Sequence, residues 1–125
     1  MQNELSIALI QTDLIWKDKA ANLFNIEKMI LSINEVVDII VLPEMFTTAF
    51  CVDDMSLAED VKGETVSWMK QIAKEKNCAI CGSILFNEND QYYNRFLFVE
   101  PSGNIHHYSK HHLFSLVNEQ QFLTK

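Results

Sequence analysis

Basic residues are scarce in this chain: ten lysines and arginines stand against 17 aspartates and glutamates, for a formal net charge of -7. Lysine and arginine form no block, so neither a nucleic acid nor an anionic membrane surface is an expected partner. No apolar run approaches the roughly 18 residues of a membrane span, and no basic leader precedes the first apolar segment. These absences predict a cytoplasmic protein that binds a small molecule or another protein.

Cysteines are few as well, at three: Cys51, Cys78 and Cys81. An odd number of cysteines without a secretion signal argues against a disulfide framework. Cys78 and Cys81 have the C-x-x-C spacing of a redox pair or of half a zinc site. They lie in or beside a predicted strand, however, where residues three apart point to opposite faces.

The histidines form a visible cluster, at positions 106, 107, 111 and 112. A zinc-binding domain that combines them with Cys78 and Cys81 is therefore one alternative. Adjacent residues of a strand face opposite ways, and the chain has no H-E-x-x-H motif, so neither a metal nor a cofactor is predicted.

The chain also lacks internal repeats, low-complexity segments and linker-like stretches, which predicts one domain or a piece of one. Apolar periodicity predicts strands at 5–10, 38–42, 79–86, 92–100 and 105–108, and helices at 18–34 and 64–76. The first strand is almost continuously apolar, as in strands covered on both faces. The strand-helix-strand order of the first three predicted elements indicates parallel pairing with a right-handed crossover, and hence an α/β fold.

Several residues mark where the predicted helices and strands begin or end. Asp18 is a candidate N-cap for the first helix, and Asn77 can end the second helix in a left-handed conformation. The polar run 87–91 predicts a hairpin turn between two strands. The acidic stretch 51–62 is interpreted as a surface loop.

The second predicted strand stops at Pro43-Glu44, since proline has no amide hydrogen for a sheet ladder. Glu44 therefore lies at the carboxyl end of this strand, with Leu42, Met45 and Phe46 around it. A carboxylate in apolar surroundings resists ionising unless it has a partner, and this is how a side chain becomes a general base. On this stretch alone, a solvated loop glutamate is an equally good interpretation.

Lys110 follows the last predicted strand, again among apolar and aromatic neighbours. It is 66 residues from Glu44, so only the fold brings the two together; if both are partly buried, each needs a charged partner. By itself Lys110 also fits a surface lysine with a buried stem. Glu119, in Asn118-Glu119-Gln120, has the context of a surface glutamate.

Together, Leu42-Pro43-Glu44-Met45-Phe46 and Tyr108-Ser109-Lys110-His111-His112-Leu113-Phe114 resemble the nitrilase, or carbon-nitrogen hydrolase, superfamily. Gly82-Ser83 and Tyr93-Asn94-Arg95 add to the likeness, and Met45-Phe46-Thr47-Thr48 resembles the omega-amidase branch most. The resemblance implies the amino-terminal half of a four-layer αββα sandwich, which would leave an apolar sheet face uncovered and favour a homo-oligomer.

The resemblance also implies roles for three residues. It makes Glu44 the catalytic base, Lys110 the ammonium that stabilises the oxyanion, and Glu119 a supporting carboxylate. The implied reaction is hydrolysis of the terminal amide of a small carboxylate-bearing substrate through a cysteine thioester. Ala49 departs from the family pattern, where glycine is usual, and an alanine there restricts the loop backbone.

The family's nucleophilic cysteine follows a later strand, and neither Cys51, Cys78 nor Cys81 matches its position. The chain is thus interpreted as a partial hydrolase domain, 1–125, truncated before its nucleophile and inactive alone. The alternative is a catalytically dead, nitrilase-like binding or assembly module.

Overall fold

The computed structural model describes residues 3–125. Within them the helices and strands, in chain order, are β1 (Ile7–Leu9), α1 (Lys19–Leu31), β2 (Ile39–Val41), α2 (Glu64–Lys76), β3 (Ala79–Glu88), β4 (Gln91–Val99), β5 (Ile105–Ser109) and α3 (Glu119–Phe122). Short 3₁₀ turns lie at Met55–Leu57 and Ser115–Val117. The α/β class predicted from the sequence is confirmed.

The strands form one mixed sheet in the order β1-β2-β3-β4-β5. β1, β2 and β3 are parallel, as the strand-helix-strand pattern predicts, and β4 and β5 join as antiparallel strands. The β3–β4 turn is tighter than predicted, because Asn89 and Asp90 both take positive φ values, 54° and 63°. These residue types tolerate that conformation, so the ladder continues to the pair Glu88 and Gln91.

The helix ends follow the predicted capping chemistry. The Asp18 carboxylate accepts a hydrogen bond from the Ala21 amide at 3.1 Å, which confirms it as the N-cap of α1. Asn77 ends α2 with φ 51° and ψ 48°, the left-handed conformation predicted for it. α1 stops at Leu31, three residues earlier than predicted, where the Ser32 amide bonds the Lys28 and Met29 carbonyls.

One face of the sheet carries the main core. Side chains of α1 and α2, among them Ile26, Ile30 and Met69, pack on Ile40 and Ile80 of the strands. The two helices are neighbours, and the Trp68 indole nitrogen donates to Glu27 Oε1 at 2.9 Å. Both crossovers therefore lie on the same face of the sheet.

The opposite face is largely uncovered at the β1 edge. Ile7 and Leu9, which alternate onto this face, are 49% and 75% exposed. The prediction that the first strand is covered on both faces is therefore wrong for this chain: β1 is an edge strand with helices on one side only. No helix of the described residues is both long enough and apolar enough to cross a membrane.

The far end of the uncovered face is closed by two irregular segments. Met45 and Val52, from the segment after β2, pack with Leu85 of β3 and with Leu123 near the chain end. The backbone amide of Thr124 donates to the Tyr92 carbonyl at 2.6 Å. The segment after β2 and the C-terminal segment therefore meet beside β3 and β4, at the carboxyl end of β2.

Candidate active site

Glu44 stands where the chain leaves β2, and the next strand fixes the turn that follows it. Met45 has a left-handed backbone, φ 49°, a conformation that costs an L-residue on the order of 1 kcal/mol. Its amide donates to Ser83 Oγ at 2.9 Å, and the Phe46 amide donates to the Ser83 carbonyl at 3.2 Å. Ser83 of β3 therefore holds the strained turn that presents Glu44.

Gly82, beside Ser83, allows this close packing. A Cβ atom at position 82 would lie 2.8 Å from Phe46 Cδ1 and 2.9 Å from Leu42 Cβ. Such distances are well inside van der Waals contact, so no larger residue fits without displacing Phe46 or Leu42. The position requires glycine for space, at the base of the turn that carries Glu44.

The fold brings together the three charged residues singled out in the sequence. Lys110 Nζ lies 3.0 Å from Glu44 Oε2 and 3.1 Å from Glu119 Oε1. Lys110 follows the last residue of β5, and its amide extends the sheet ladder by donating to the Asn94 carbonyl at 2.8 Å. One ammonium therefore bridges two carboxylates at the ends of the strands.

The two glutamates differ strongly in burial, and the surface position that the sequence indicated for Glu119 is wrong. The Glu119 side chain is fully buried, with 0% exposure, whereas the Glu44 side chain is 50% exposed. Glu119 is not a surface residue because the chain turns inward there, and the Phe114 amide donates to its Oε1 at 2.6 Å. Glu44 is open because its sheet face is uncovered, while Met45 and Phe46 are buried in its place.

Asn94 of β4 also belongs to this cluster; in the sequence it was noted only within the motif Tyr93-Asn94-Arg95, without a role in the site. Its Nδ2 donates to Glu44 Oε2 at 2.8 Å and to Glu119 Oε2 at 3.4 Å. The available signal was a polar residue inside a strand, since a buried asparagine needs hydrogen-bond partners. Sequence alone gave no indication of which partners those are.

The electrostatics of Lys110 follow from these contacts. Desolvation of its ammonium lowers its pKa, but the hydrogen bonds and charges of Glu44 and Glu119 act in the opposite direction and outweigh it. The pKa of Lys110 is therefore raised above its ordinary value of about 10.5. The ammonium also lies 5.1 Å from the centre of the Phe50 ring, a cation–π contact. Lys110 is thus held in its charged form.

A cavity of about 420 Å³ opens beside the cluster. Glu44, Asn94 and Lys110 line its polar side, and Leu42, Phe96 and Tyr108 line its apolar side. This volume and mixture of surfaces suit a small molecule with one reacting polar group.

A larger cavity, of about 740 Å³, is lined in part by Arg95. Arg95 neighbours Asn94 in β4 and therefore points to the other, helix-bearing face of the sheet. It is already paired with Glu88, and its guanidinium lies over the rings of Phe86 and Tyr93. The smaller cavity, with its paired carboxylates and ammonium, is the candidate active site.

The three cysteines are free and buried. Burial raises the pKa of each thiol above its ordinary value, and at Cys51 it outweighs backbone hydrogen bonds that act to lower the pKa. None of the three is therefore an activated thiolate. Across residues 3–125, no three His, Cys, Asp or Glu side chains are grouped closely enough to hold a metal ion.

The fold and this cluster define an α/β protein in which the sheet ends carry a carboxylate, an ammonium and a second carboxylate. The family model described as carbon-nitrogen hydrolase matches residues 6–125. The chain belongs to the carbon-nitrogen hydrolase family.

The chain is similar in sequence to two bacterial amidases. Omega-amidase YafV of Escherichia coli (strain B / BL21-DE3) is 42% identical over 117 residues, which cover 92% of this chain and 44% of that protein. The 2-oxoglutaramate amidase of Bacillus subtilis (strain 168) is 30% identical over 122 residues, covering 95% of this chain and 47% of that protein. The chain thus spans less than half the length of these relatives.

Solved structures show the same architecture. The CN-hydrolase superfamily protein XC1258 from Xanthomonas campestris superposes with a TM-score of 0.93 at 32% identity, covering 98% of this chain and 46% of that one. Saccharomyces cerevisiae Nit3, of the nitrilase superfamily, has a TM-score of 0.79 at 23% identity, covering 96% and 48% of the two chains. The second likeness concerns the fold alone.

Proposed function

We propose that this chain is the base-bearing part of an amidase that hydrolyses the terminal amide of a small, carboxylate-bearing substrate. The observation that carries the proposal is the bridge from Lys110 to both Glu44 and Glu119, at the edge of a cavity in a chain of this family. Monoamides of short dicarboxylic acids are the substrate class. The names of the omega-amidase and 2-oxoglutaramate amidase relatives support that choice.

In the proposed reaction a cysteine thiol, supplied from outside residues 1–125, attacks the amide carbon. Glu44 takes the thiol proton, and the Lys110 ammonium stabilises the negative charge that develops on the carbonyl oxygen. As the carbon–nitrogen bond breaks, Glu44 returns the proton to the departing ammonia and a thioester remains. Water then hydrolyses the thioester, with Glu44 again acting as base. Glu119 supports the reaction by holding Lys110.

The cavity chemistry fits these roles. Glu44 is open to the cavity and can reach a reacting group, whereas Glu119 is enclosed and cannot. Lys110 is partly exposed, so it can also reach a bound carbonyl oxygen. The two carboxylates therefore have different environments and different proposed tasks.

The test compares residues 1–125 with the complete protein encoded by the reading frame that contains them, by measuring ammonia release from 2-oxoglutaramate and other short monoamides. We expect turnover from the complete protein and none from residues 1–125. Glu44→Gln should lower kcat by about 10²- to 10⁴-fold, the usual contribution of a general base. Glu64→Gln, an exposed glutamate in the first turn of α2, is the matched control and should keep full activity.

Each outcome separates the proposal from an alternative. Turnover retained in Glu44→Gln refutes Glu44 as the base, and turnover by residues 1–125 refutes the proposal that the nucleophile lies outside them. A reading frame that ends at Lys125, or an inactive complete protein, supports the catalytically dead binding or assembly module instead.

We further propose self-association of residues 1–125 in the cytoplasm, the predicted compartment. Ile7 and Leu9 at one sheet edge and Tyr108 at the other are exposed on the uncovered face, and exposed apolar surface next to open strand edges favours pairing. Sedimentation at micromolar concentration measures this, and a clean monomer contradicts it.

A further inference from the structure

Asn94 contacts all three charged residues of the candidate site. Its backbone carbonyl accepts from the Lys110 amide at 2.8 Å. Its side-chain Nδ2 donates to Glu44 Oε2 at 2.8 Å and to Glu119 Oε2 at 3.4 Å. We propose that Asn94 is a positioning residue that fixes the Glu44 carboxylate for proton transfer, an inference that rests on the proposed function.

The orientation of the Asn94 amide is determined by its partners. Both neighbours are carboxylate oxygens, which accept hydrogen bonds, so the amide must present its nitrogen and not its oxygen. The side chain is buried, and its strand is paired on both sides, with Leu85 of β3 and through the Lys110 amide. The donor therefore has little freedom to turn away, and hydrogen bonds to an ionised group are the stronger kind.

The hydrogen bonds assign different tasks to the two oxygens of Glu44. Oε2 accepts from both Lys110 Nζ, at 3.0 Å, and Asn94 Nδ2, at 2.8 Å. Oε1 accepts no hydrogen bond from any of residues 3–125, and Glu44 lines the cavity. Two donors on Oε2 fix the rotation of the carboxylate, so Oε1 is the oxygen that takes the proton.

Lys110 alone would not fix that rotation. Its ammonium is shared between Glu44 and Glu119 and sits on a flexible four-carbon stem. Asn94 adds a donor on a short, buried side chain. Because the amide is neutral, it holds Glu44 without adding a second positive charge that would weaken the carboxylate as a base.

The test measures kcat and KM of the complete protein with Asn94→Leu and Asn94→Asp. Leucine removes the donor at nearly constant volume, and aspartate keeps the shape but places a third carboxylate in the cluster. We expect kcat to fall about 10- to 100-fold in both, with KM within about threefold, by analogy with the loss when a hydrogen-bond partner that orients a metal-ligating side chain is removed. Asn94→Ser, smaller and still polar, replaces the leucine variant if that variant does not fold.

Two controls separate positioning from stability. Ile30→Val trims the helix-side core, away from the cavity, and should lower stability while kcat per folded molecule is kept. Asn104→Asp makes the same chemical change as Asn94→Asp in the exposed β4–β5 turn, and both kinetic constants should stay as in the wild type.

The outcomes distinguish this inference from the proposed function. An active wild type with kcat unchanged in the Asn94 variants overturns the role of Asn94 and leaves the amidase assignment intact. A kcat loss that Ile30→Val reproduces overturns it as well, since stability then explains the effect. An inactive wild-type complete protein refutes the proposed function and, with it, this inference.

Discussion

Replacement of Lys110 by methionine tests the charge cluster most directly. The variant keeps an apolar stem of similar length but removes the ammonium from Glu119, which is fully buried. Loss of one partner of a buried pair costs about 3–5 kcal/mol, because the remaining charge is left without compensation. Lys110 itself is 29% exposed, and Glu119 keeps its bond from the Phe114 amide, so we expect the low end, about 3 kcal/mol of unfolding free energy.

A double-mutant cycle isolates the pair. Glu119→Gln removes the buried charge and should cost about 1–2 kcal/mol through the hydrogen bonds that it weakens. In that background Lys110→Met should cost only about 1 kcal/mol, which leaves a coupling energy of about 2 kcal/mol. Urea unfolding at neutral pH and fixed protein concentration, followed by tryptophan fluorescence, gives all four free energies.

The matched control is Lys70→Met, which removes an exposed lysine of α2 and should change stability by less than about 0.5 kcal/mol. The reasoning fails if Lys110→Met costs the same in the wild-type and Glu119→Gln backgrounds. Equal costs would mean that the ammonium does not compensate the buried carboxylate.

Three further predictions concern the same region. Because the pKa of Lys110 is raised in the folded state, its contribution to stability is complete below the ordinary lysine pKa of about 10.5 and is lost as the pH rises through the higher folded-state value. In urea unfolding, the difference in stability between the wild type and Lys110→Met should therefore stay constant from about pH 7 to 9 and shrink above about pH 10.5. Ala49→Gly should raise stability by about 0.5–1 kcal/mol in thermal or urea unfolding, because Ala49 has φ 62° and glycine adopts that conformation without strain; a loss of stability would contradict this. Gly82→Ala should cost about 1–3 kcal/mol through overlap with Phe46 and Leu42, and a neutral result would show that the turn after β2 can move aside.

Local chemistry in the sequence was sufficient for most elements. α2 runs from Glu64 to Lys76 as predicted, because its apolar spacing, terminal lysines and Asn77 all act within a few residues of the helix. The β3–β4 hairpin was predicted for the same reason, although the turn is shorter than expected. The exposure of β1 was predicted wrongly. A continuous apolar run shows that both faces of a strand could be buried, but it does not show whether another segment of this chain covers them.

The chain's own residues also identified Glu44 and Lys110 as a pair worth testing, since each charge follows a strand among apolar neighbours. The distance of 3.0 Å between Lys110 Nζ and Glu44 Oε2 follows from the fold and not from the local sequence. Parallel pairing of β2 with β3, and antiparallel pairing of β4 with both β3 and β5, carries the two side chains to the same corner of the sheet.

The sequence by itself determined most of the elements and the residue types available for chemistry, because these depend on local pattern and composition, and its motifs resembled those of the family. Only the tertiary structure decided that Glu119 is buried, that Glu44 is open, and that Asn94 lies between them. Burial and hydrogen-bond partners depend on which distant segments meet. The polar neighbours of Glu119 in the sequence indicated a surface position, yet it is enclosed where the chain turns back onto the sheet, whereas Glu44, among apolar neighbours, faces the cavity.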